Sequence, residues 1–310
     1  MGNVLISGAS GFVGRNLSAY LANFGYGIIK LVRGNEPGNN ELSWGEVSKL
    51  ATADVDVVIH LAGKAHDLKN TSNPQEYFDV NTELTIQLFD NFLKSNATRF
   101  VYFSSVKAAA DTVDGVLTET VIPDPQTAYG KSKLKAEEYL LSRELPADKF
   151  VYIIRPCMIH GQGNKGNLNL LYKFVSKGIP YPLAVFENHR SFLYIENLNF
   201  IIGQLIKNDN VPSGIYNVAD DTSLSTVEVV KIISETINRK PNLWFINQAV
   251  LKFVAAVGDK LRLPLNSERL KKLTENYVVS NRKIKNALHV DNLPVKTQDG
   301  LKKTIRSFNN

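Results

Sequence analysis

Val4-Leu5-Ile6-Ser7-Gly8-Ala9-Ser10-Gly11-Phe12-Val13-Gly14 runs from a short apolar segment into three glycines, each separated from the next by two residues. The Val4-Leu5-Ile6 run reads as a buried strand. The spacing beyond it predicts a helix over Phe12–Asn23. Glycines at such a junction permit a tight turn, close approach of the backbone to a diphosphate, and close helix–strand packing. The helix N-terminus favours the anion. The spacing differs from the Gly-x-Gly-x2-Gly of the common dinucleotide-binding turn, so its weight comes from its place after the first strand. Gly8, Ser10, Gly11, Phe12, Val13 and Gly14 are therefore candidate cofactor contacts.

Outward from this turn, further strands are expected at Gly27–Val32, 56–61, Arg99–Phe103 and 150–154. Helical apolar spacing covers 74–94 and Ala128–Ser142. Strands that are uninterrupted apolar runs, alternating with helices, argue for an α/β domain with a parallel sheet covered on both faces. After about residue 161 strands become rarer, with short ones near 192–194 and 216–218, and helices dominate from 226 onward. We expect a dinucleotide-binding domain over 1–160 and a smaller, mainly substrate-binding α+β lobe over 161–310, with part of 190–210 returning to the first domain. No internal repeat or low-complexity linker is visible.

The chain has 310 residues and a formal net charge of +6, with lysine and arginine spread along its length apart from a modest cluster from Lys260 to Lys272. A nucleic-acid-binding protein would gather these charges on one stripe, so none is expected as a partner; a mild basic excess also suits a phosphorylated ligand. Cys157 is the only cysteine, which excludes an internal disulfide and fits a reducing compartment. At the end of an apolar strand it reads as a small buried hydrophobe. No apolar run reaches the ~18 residues needed to span a bilayer, and the N-terminus carries no basic-then-apolar export signal. The expectation is a soluble cytoplasmic protein with no membrane partner and no metal.

Two Tyr-x3-Lys pairs occur, Tyr26 with Lys30 and Tyr129 with Lys133. The first lies in or beside a strand, where four residues span about 13 Å. The second lies on a predicted helix, about 6 Å apart on one face. A cation beside a phenol stabilises the phenolate and lowers its pKa, so Tyr129 is a candidate proton donor or acceptor. Ser104 and Ser105 follow the strand ending at Phe103, where a hydroxyl opens into the ligand crevice of a parallel sheet; a turn or capping serine is the plainer reading. Ser105 can hydrogen-bond a carbonyl oxygen beside Tyr129. Arg33 stands at the end of the second strand, where an NAD site usually has a carboxylate for the ribose, and the nearest here is Glu36. A guanidinium matches a 2′-phosphate and stacks on adenine, so NADP(H) is favoured, with NAD(H) open if Arg33 only stacks.

Gly8-x2-Gly11-x2-Gly14, His60-Leu61-Ala62-Gly63, Asn81, Ser104-Ser105, Tyr129-x3-Lys133 and Arg155-Pro156 follow one another in an order and spacing that resembles the extended short-chain dehydrogenase/reductases. The resemblance covers nearly the whole chain and is nearest to the nucleotide-sugar epimerase, dehydratase and reductase branch. It implies a Rossmann-type doubly wound sheet with a smaller C-terminal α+β substrate-binding lobe. It further implies cofactor contacts at Leu61, Ala62, Gly63, Ser104, Tyr129, Lys133 and Pro156, and Ser105, Tyr129 and Lys133 as the catalytic set. The stretch from His160 to Leu198 is similar to the substrate loops of bacterial enzymes acting on UDP-linked 4-keto or 4-hydroxy sugars. On that likeness Arg190 would pair with the substrate diphosphate and Asn167 would contact the sugar or phosphate side. Lys64, which follows Gly63, is expected either to face the nicotinamide crevice as a substrate contact or to be a solvated loop lysine. The family often has tyrosine where this chain has His160, so no catalytic role is assigned there. The implied activity is NADP(H)-dependent reduction of a nucleotide-linked, UDP-type 4-keto sugar. A UDP-sugar 4-epimerase with tightly held NAD uses the same residues, and a non-catalytic NADP-binding regulator shares the fold. The serine segment Ser104-Ser105-Val106-Lys107 lacks the acid pair of the 4,6-dehydratases. Family members commonly dimerise through the helices at 75–94 and 128–142, so a homodimer is expected.

Overall fold

The computed structural model describes residues 2–34, 36–64, 73–164, 166–261 and 266–308. Eleven strands are described: β1 (Asn3–Ser7), β2 (Gly27–Val32), β3 (Glu41–Ser43), β4 (Val57–His60), β5 (Arg99–Phe103), β6 (Val116–Leu117), β7 (Phe150–Pro156), β8 (Met158–His160), β9 (Phe192–Tyr194), β10 (Gly214–Val218) and β11 (Val278–Val279). The helices are α1 (Phe12–Asn23), α2 (Pro74–Phe78), α3 (Leu84–Leu93), α4 (Ala128–Ser142), α5 (Asn167–Ser176), α6 (Ile195–Lys207), α7 (Thr226–Thr236), α8 (Gln248–Leu261), α9 (Ser267–Thr274), α10 (Arg282–Leu288) and α11 (Thr297–Arg306).

Seven strands form one parallel sheet in the order β10-β7-β5-β4-β1-β2-β3. The order reverses between β1 and β4, and ligands of such sheets bind in the crevice beyond the carboxyl ends at that point. Alternate residues of β1 serve different cores. Val4 and Ile6 pack with α6, while Leu5 packs with α3 and α4 side chains such as Phe89 and Leu140. All four residues of β4 are buried, as a central strand with both faces covered requires. A third core lies in the C-terminal lobe among Leu168, Leu183, Val230, Leu251, Leu270 and Leu301.

Three elements differ from the sequence expectation. The helix expected over 74–94 is broken by a π turn at Asp79–Glu83, between α2 and α3. β3 is a three-residue edge strand, too short to give a periodic signal. β10 belongs to the main sheet beside β7, so the return to the first domain runs on to Val218, past the 190–210 expected. Cys157 is buried, and burial pushes its thiol pKa well up. Among the described residues no helix is long and apolar enough to cross a membrane, and no group of three or more metal-ligating side chains gathers.

Candidate active site

The glycine turn sits at the carboxyl end of β1. Gly8 adopts φ +70°, and a Cβ there would lie 2.8 Å from the Ala62 backbone nitrogen. Only glycine meets both demands. The Gly11 N–H donates to the Gly8 carbonyl at 3.0 Å, closing the turn. A Cβ on Gly14 would meet that carbonyl at 2.3 Å, so α1 can start this close to the turn only with glycine. Gly11 caps α1 without a side-chain hydrogen bond, and the first amides of α1 therefore face the crevice as anion donors. This cradle fits a dinucleotide diphosphate. Ser10 is exposed on the turn and Arg33 is exposed just past β2, whose Leu31 pairs with Ser7 of β1.

The loop Leu61-Ala62-Gly63-Lys64 faces this turn and is held from below. The Ala62 N–H donates to Ser7 Oγ at 3.1 Å, which leaves the Ser7 proton for His60 Nδ1 at 2.6 Å. His60 Nε2 then donates to Thr85 Oγ at 2.9 Å, and Thr85 donates to the Asn81 carbonyl at 2.7 Å. This directional chain fixes the His60 tautomer. Burial, with Lys133 adding repulsion, lowers the His60 pKa to about 3, so the ring is neutral. Asn81 lies on the π turn, a distortion often found at functional sites. Its side chain accepts from the Lys64 N–H at 2.8 Å and donates to Ser132 Oγ at 3.0 Å, tying the loop to α4. A Cβ on Gly63 would come within 2.9 Å of Asn81 Oδ1 and 3.1 Å of Lys133 Nζ. Lys133 thus reaches the crevice immediately beneath the loop.

Thr127 caps α4 by accepting from the Gly130 N–H at 3.1 Å, which fixes the first turn that carries Tyr129. Ser105 and Lys133 are buried. Ser105 stands beside the Tyr129 hydroxyl and acts on its acidity. The expected lowering of the Tyr129 pKa by Lys133 is not what the geometry gives. Burial raises it, opposed by Ser105, and the Tyr77 ring stands edge-on at 6.3 Å. Lys133 Nζ instead donates to the Phe103 carbonyl at 2.8 Å and lies 4.9 Å from the Tyr102 ring centroid. Burial lowers the Lys133 pKa to about 8, and Glu137 one turn on opposes that shift.

Glu137 was not among the sequence candidates. It and Arg155 form an ion pair in which both side chains are only 1 % exposed, and Arg155 Nε donates to Glu137 Oε1 at 3.0 Å. The Ser104 hydroxyl donates to the same carboxylate. The Ser104 side chain, expected as a cofactor contact, is engaged by Glu137. The signal was legible: Glu137 follows Lys133 at helical spacing, and an arginine inside an apolar strand needs a buried counter-charge. Pro156 is buried at the end of β7, paired with Val218. Lys64 pairs with Glu76 and lies 5.6 Å from the Tyr77 ring centroid. His160 is structural. It is buried, bonded through Nδ1 to Thr304 at 2.9 Å, and 5.5 Å from the Tyr194 ring.

Asn167 and Arg190, some twenty residues apart in sequence, line one cavity of about 460 Å³ in the C-terminal lobe. Thr226 is the other strongly polar group; Leu170, Phe174 and Leu273 are among the hydrocarbon walls. An Arg190 Nη group donates to the Lys272 carbonyl and stands 3.9 Å from Glu275. Its Nε is a buried donor with no hydrogen-bond partner among the described residues. Burial lowers the Arg190 pKa, opposed by Glu275. An incompletely paired guanidinium in a cavity wall is suited to an anionic ligand.

A profile described as "NAD dependent epimerase/dehydratase family" matches residues 4–219. The UDP-glucose 4-epimerase of Vibrio cholerae is 31% identical over 250 residues, 76% of this chain and 76% of that protein. The UDP-2-acetamido-2,6-beta-L-arabino-hexul-4-ose reductase of Pseudomonas aeruginosa is 35% identical over 170 residues, 54% of this chain and 38% of that protein. Among solved structures, the UDP-N-acetylglucosamine 4-epimerase from Bacillus cereus superposes with a TM-score of 0.78 at 22% identity, covering 100% of both chains. With two thirds of its length matched by one profile, and a relative above 30% identity over 76% of both chains, this chain belongs to the NAD-dependent epimerase/dehydratase family.

Proposed function

We propose that the protein is an NADP(H)-dependent reductase of a 4-keto sugar linked to a nucleoside diphosphate, with UDP as the nucleotide. The observation that carries this reading is the gathering of Tyr129 beside Ser105, with buried Lys133 one turn on, around a phenol whose pKa is raised by burial. Such a phenol stays protonated at neutral pH, as a donor to a ketone oxygen must be. The glycine turn, Ser10, Arg33 and the 61–63 loop would hold the dinucleotide, which supplies the hydride when bound. Tyr129 Oη gives its proton to the carbonyl oxygen as charge develops there. Ser105 orients that oxygen. Lys133, cationic below pH of about 8, lies beneath the loop, where it can bind the ribose and restore charge balance once the phenol has given up its proton. In the lobe, Arg190 takes the diphosphate and Asn167 the sugar or phosphate side.

Arg33 supports NADP(H), since a guanidinium in place of the usual carboxylate matches a 2′-phosphate. The likeness to the Vibrio cholerae 4-epimerase over 76% of this chain favours a second reading, epimerisation at C4 with a recycled NAD. Incubation with UDP-linked 4-keto sugars and with UDP-sugars, followed by absorbance of NADPH and by product analysis, separates the two. Stoichiometric NADPH consumption is expected. Interconversion of UDP-sugars without consumption would replace the reductase by the epimerase.

A further inference from the structure

α8 has two apolar faces. Leu251, Ala255 and Gly258 are buried against the lobe core. Val250, Phe253, Val254 and Leu261 are 51, 70, 43 and 65% exposed. At 100° per residue these four fall within about 100° of arc, beside the buried face. A surface helix ordinarily needs one apolar stripe, and this second one has no partner among the described residues. Trp244 and Phe245, just before α8, are 54 and 69% exposed, and the Trp244 N–H donates to the Tyr181 carbonyl at 2.9 Å, bringing exposed Ile179 close by.

The charge around this stripe is one-sided. α8 and α9 together expose Lys252, Lys260, Arg269, Lys271 and Lys272 against only Asp259 and Glu268. Both acids are engaged locally, Asp259 by the Ser267 hydroxyl at 2.6 Å and Glu268 by Lys272 at 2.6 Å. An aromatic and aliphatic stripe edged by Lys260, on a helix of 14 residues whose polar side carries Lys252, matches an interfacial helix lying in a bilayer surface, which is distinct from a span. A two-fold pairing of the same face on a second copy would bring like charges together. The mouth of the cavity adjoins this surface. Leu273, 50% exposed, is both a cavity wall and part of α9, which packs on α8.

We propose that the C-terminal lobe docks on an anionic lipid bilayer through the outer face of α8, with the basic side chains of α8 and α9 supplying attraction to lipid headgroups.

Flotation of the full chain with vesicles of phosphatidylglycerol and phosphatidylcholine in equal parts tests this. The expected result is co-flotation that falls at least about tenfold on pure phosphatidylcholine vesicles and in 0.5 M salt. The double variant Phe253→Asp with Val254→Asp should lose binding by a similar factor while keeping its turnover of soluble nucleotide-sugar and its circular dichroism. Lys252→Glu with Lys260→Glu, which leaves the apolar stripe intact, should weaken binding to the anionic vesicles alone. Trp244 emission should shift to the blue on binding, and Trp244→Phe should remove that shift. Failure of the wild-type chain to float with anionic vesicles would overturn the proposal. So would a wild-type oligomer, indifferent to vesicles, that the Phe253→Asp variant splits in sedimentation, because the stripe would then cover a second copy.

Discussion

Around Lys133 polar groups are buried and densely paired: lysine to carbonyl, serine and arginine to one carboxylate, histidine to two hydroxyls, with Arg155 Nη1 left without a partner among the described residues. Around Arg190 the walls are hydrocarbon, and a buried donor lacks a partner. The exposed large apolar side chains follow the same divide. Nine of the fourteen lie between Leu170 and Leu273. The first region is held by many paired polar groups, the second mainly by apolar packing around an incompletely paired guanidinium. One fold hosts several related activities when the parts that vary lie apart from the parts that are densely paired.

The largest effect belongs to the densely paired side. Tyr129→Phe should lower kcat by about 10²–10⁴-fold with little change in KM or cofactor binding; full turnover in this variant would remove Tyr129 from the chemistry. Next comes the buried ion pair. Glu137→Gln leaves the Arg155 guanidinium without a counter-charge, and urea unfolding should show a loss of about 3–5 kcal/mol. The matching change in the lobe, Glu275→Gln beside Arg190, should cost under about 1 kcal/mol, since that carboxylate is partly exposed and 3.9 Å away. Equal costs would erase the contrast between the regions.

Protonation gives a third comparison. The folded-state His60 pKa, about 3, lies below its ordinary value of 6.5. The unfolded chain therefore binds more protons between these values, and stability falls as pH drops through that window, by up to about 1.4 kcal/mol per pH unit. His60→Gln should flatten this limb in acid unfolding followed by circular dichroism. Lys133 has the same sign at the other end. Its folded pKa of about 8 lies below 10.5, so it contributes rising stability from pH 8 to 10.5, while activity that needs its charge declines over the same rise. A kcat profile still flat at pH 10 would detach Lys133 from the mechanism. The smallest effect should be Leu170→Ala at the cavity mouth. Its stability change should stay within about 0.5 kcal/mol, so a shifted KM for the nucleotide-sugar would be read as recognition alone.

The glycine turn, the central strands and α4 were legible in the sequence because each carries a local signature: glycine spacing, an uninterrupted apolar run, a Thr127 cap. The π turn was not. It inserts one residue without altering composition, and only the bonds of Asn81 to Lys64 and Ser132 reveal its purpose. Tyr129 and Lys133 were identifiable by spacing, yet the sign of the Tyr129 shift was not. Burial is a property of the whole fold, and here it outweighs the neighbouring charge. The pairing of Ser104 with Glu137 was not legible for a related reason, since the two lie 33 residues apart along the chain.

β10 is an outer strand of the main sheet, and it arrives 58 residues after β7 ends. During synthesis the sheet stays one strand short until about residue 218 has emerged, with β7 presenting an unpaired edge. In the finished chain the new edge is guarded, because Lys283 Nζ donates to the Ile215 carbonyl at 2.8 Å. A cut at residue 160 would therefore remove one strand from the main sheet. Such a fragment would carry a raw seam prone to sticking to other chains, and the intact protein should melt in one step.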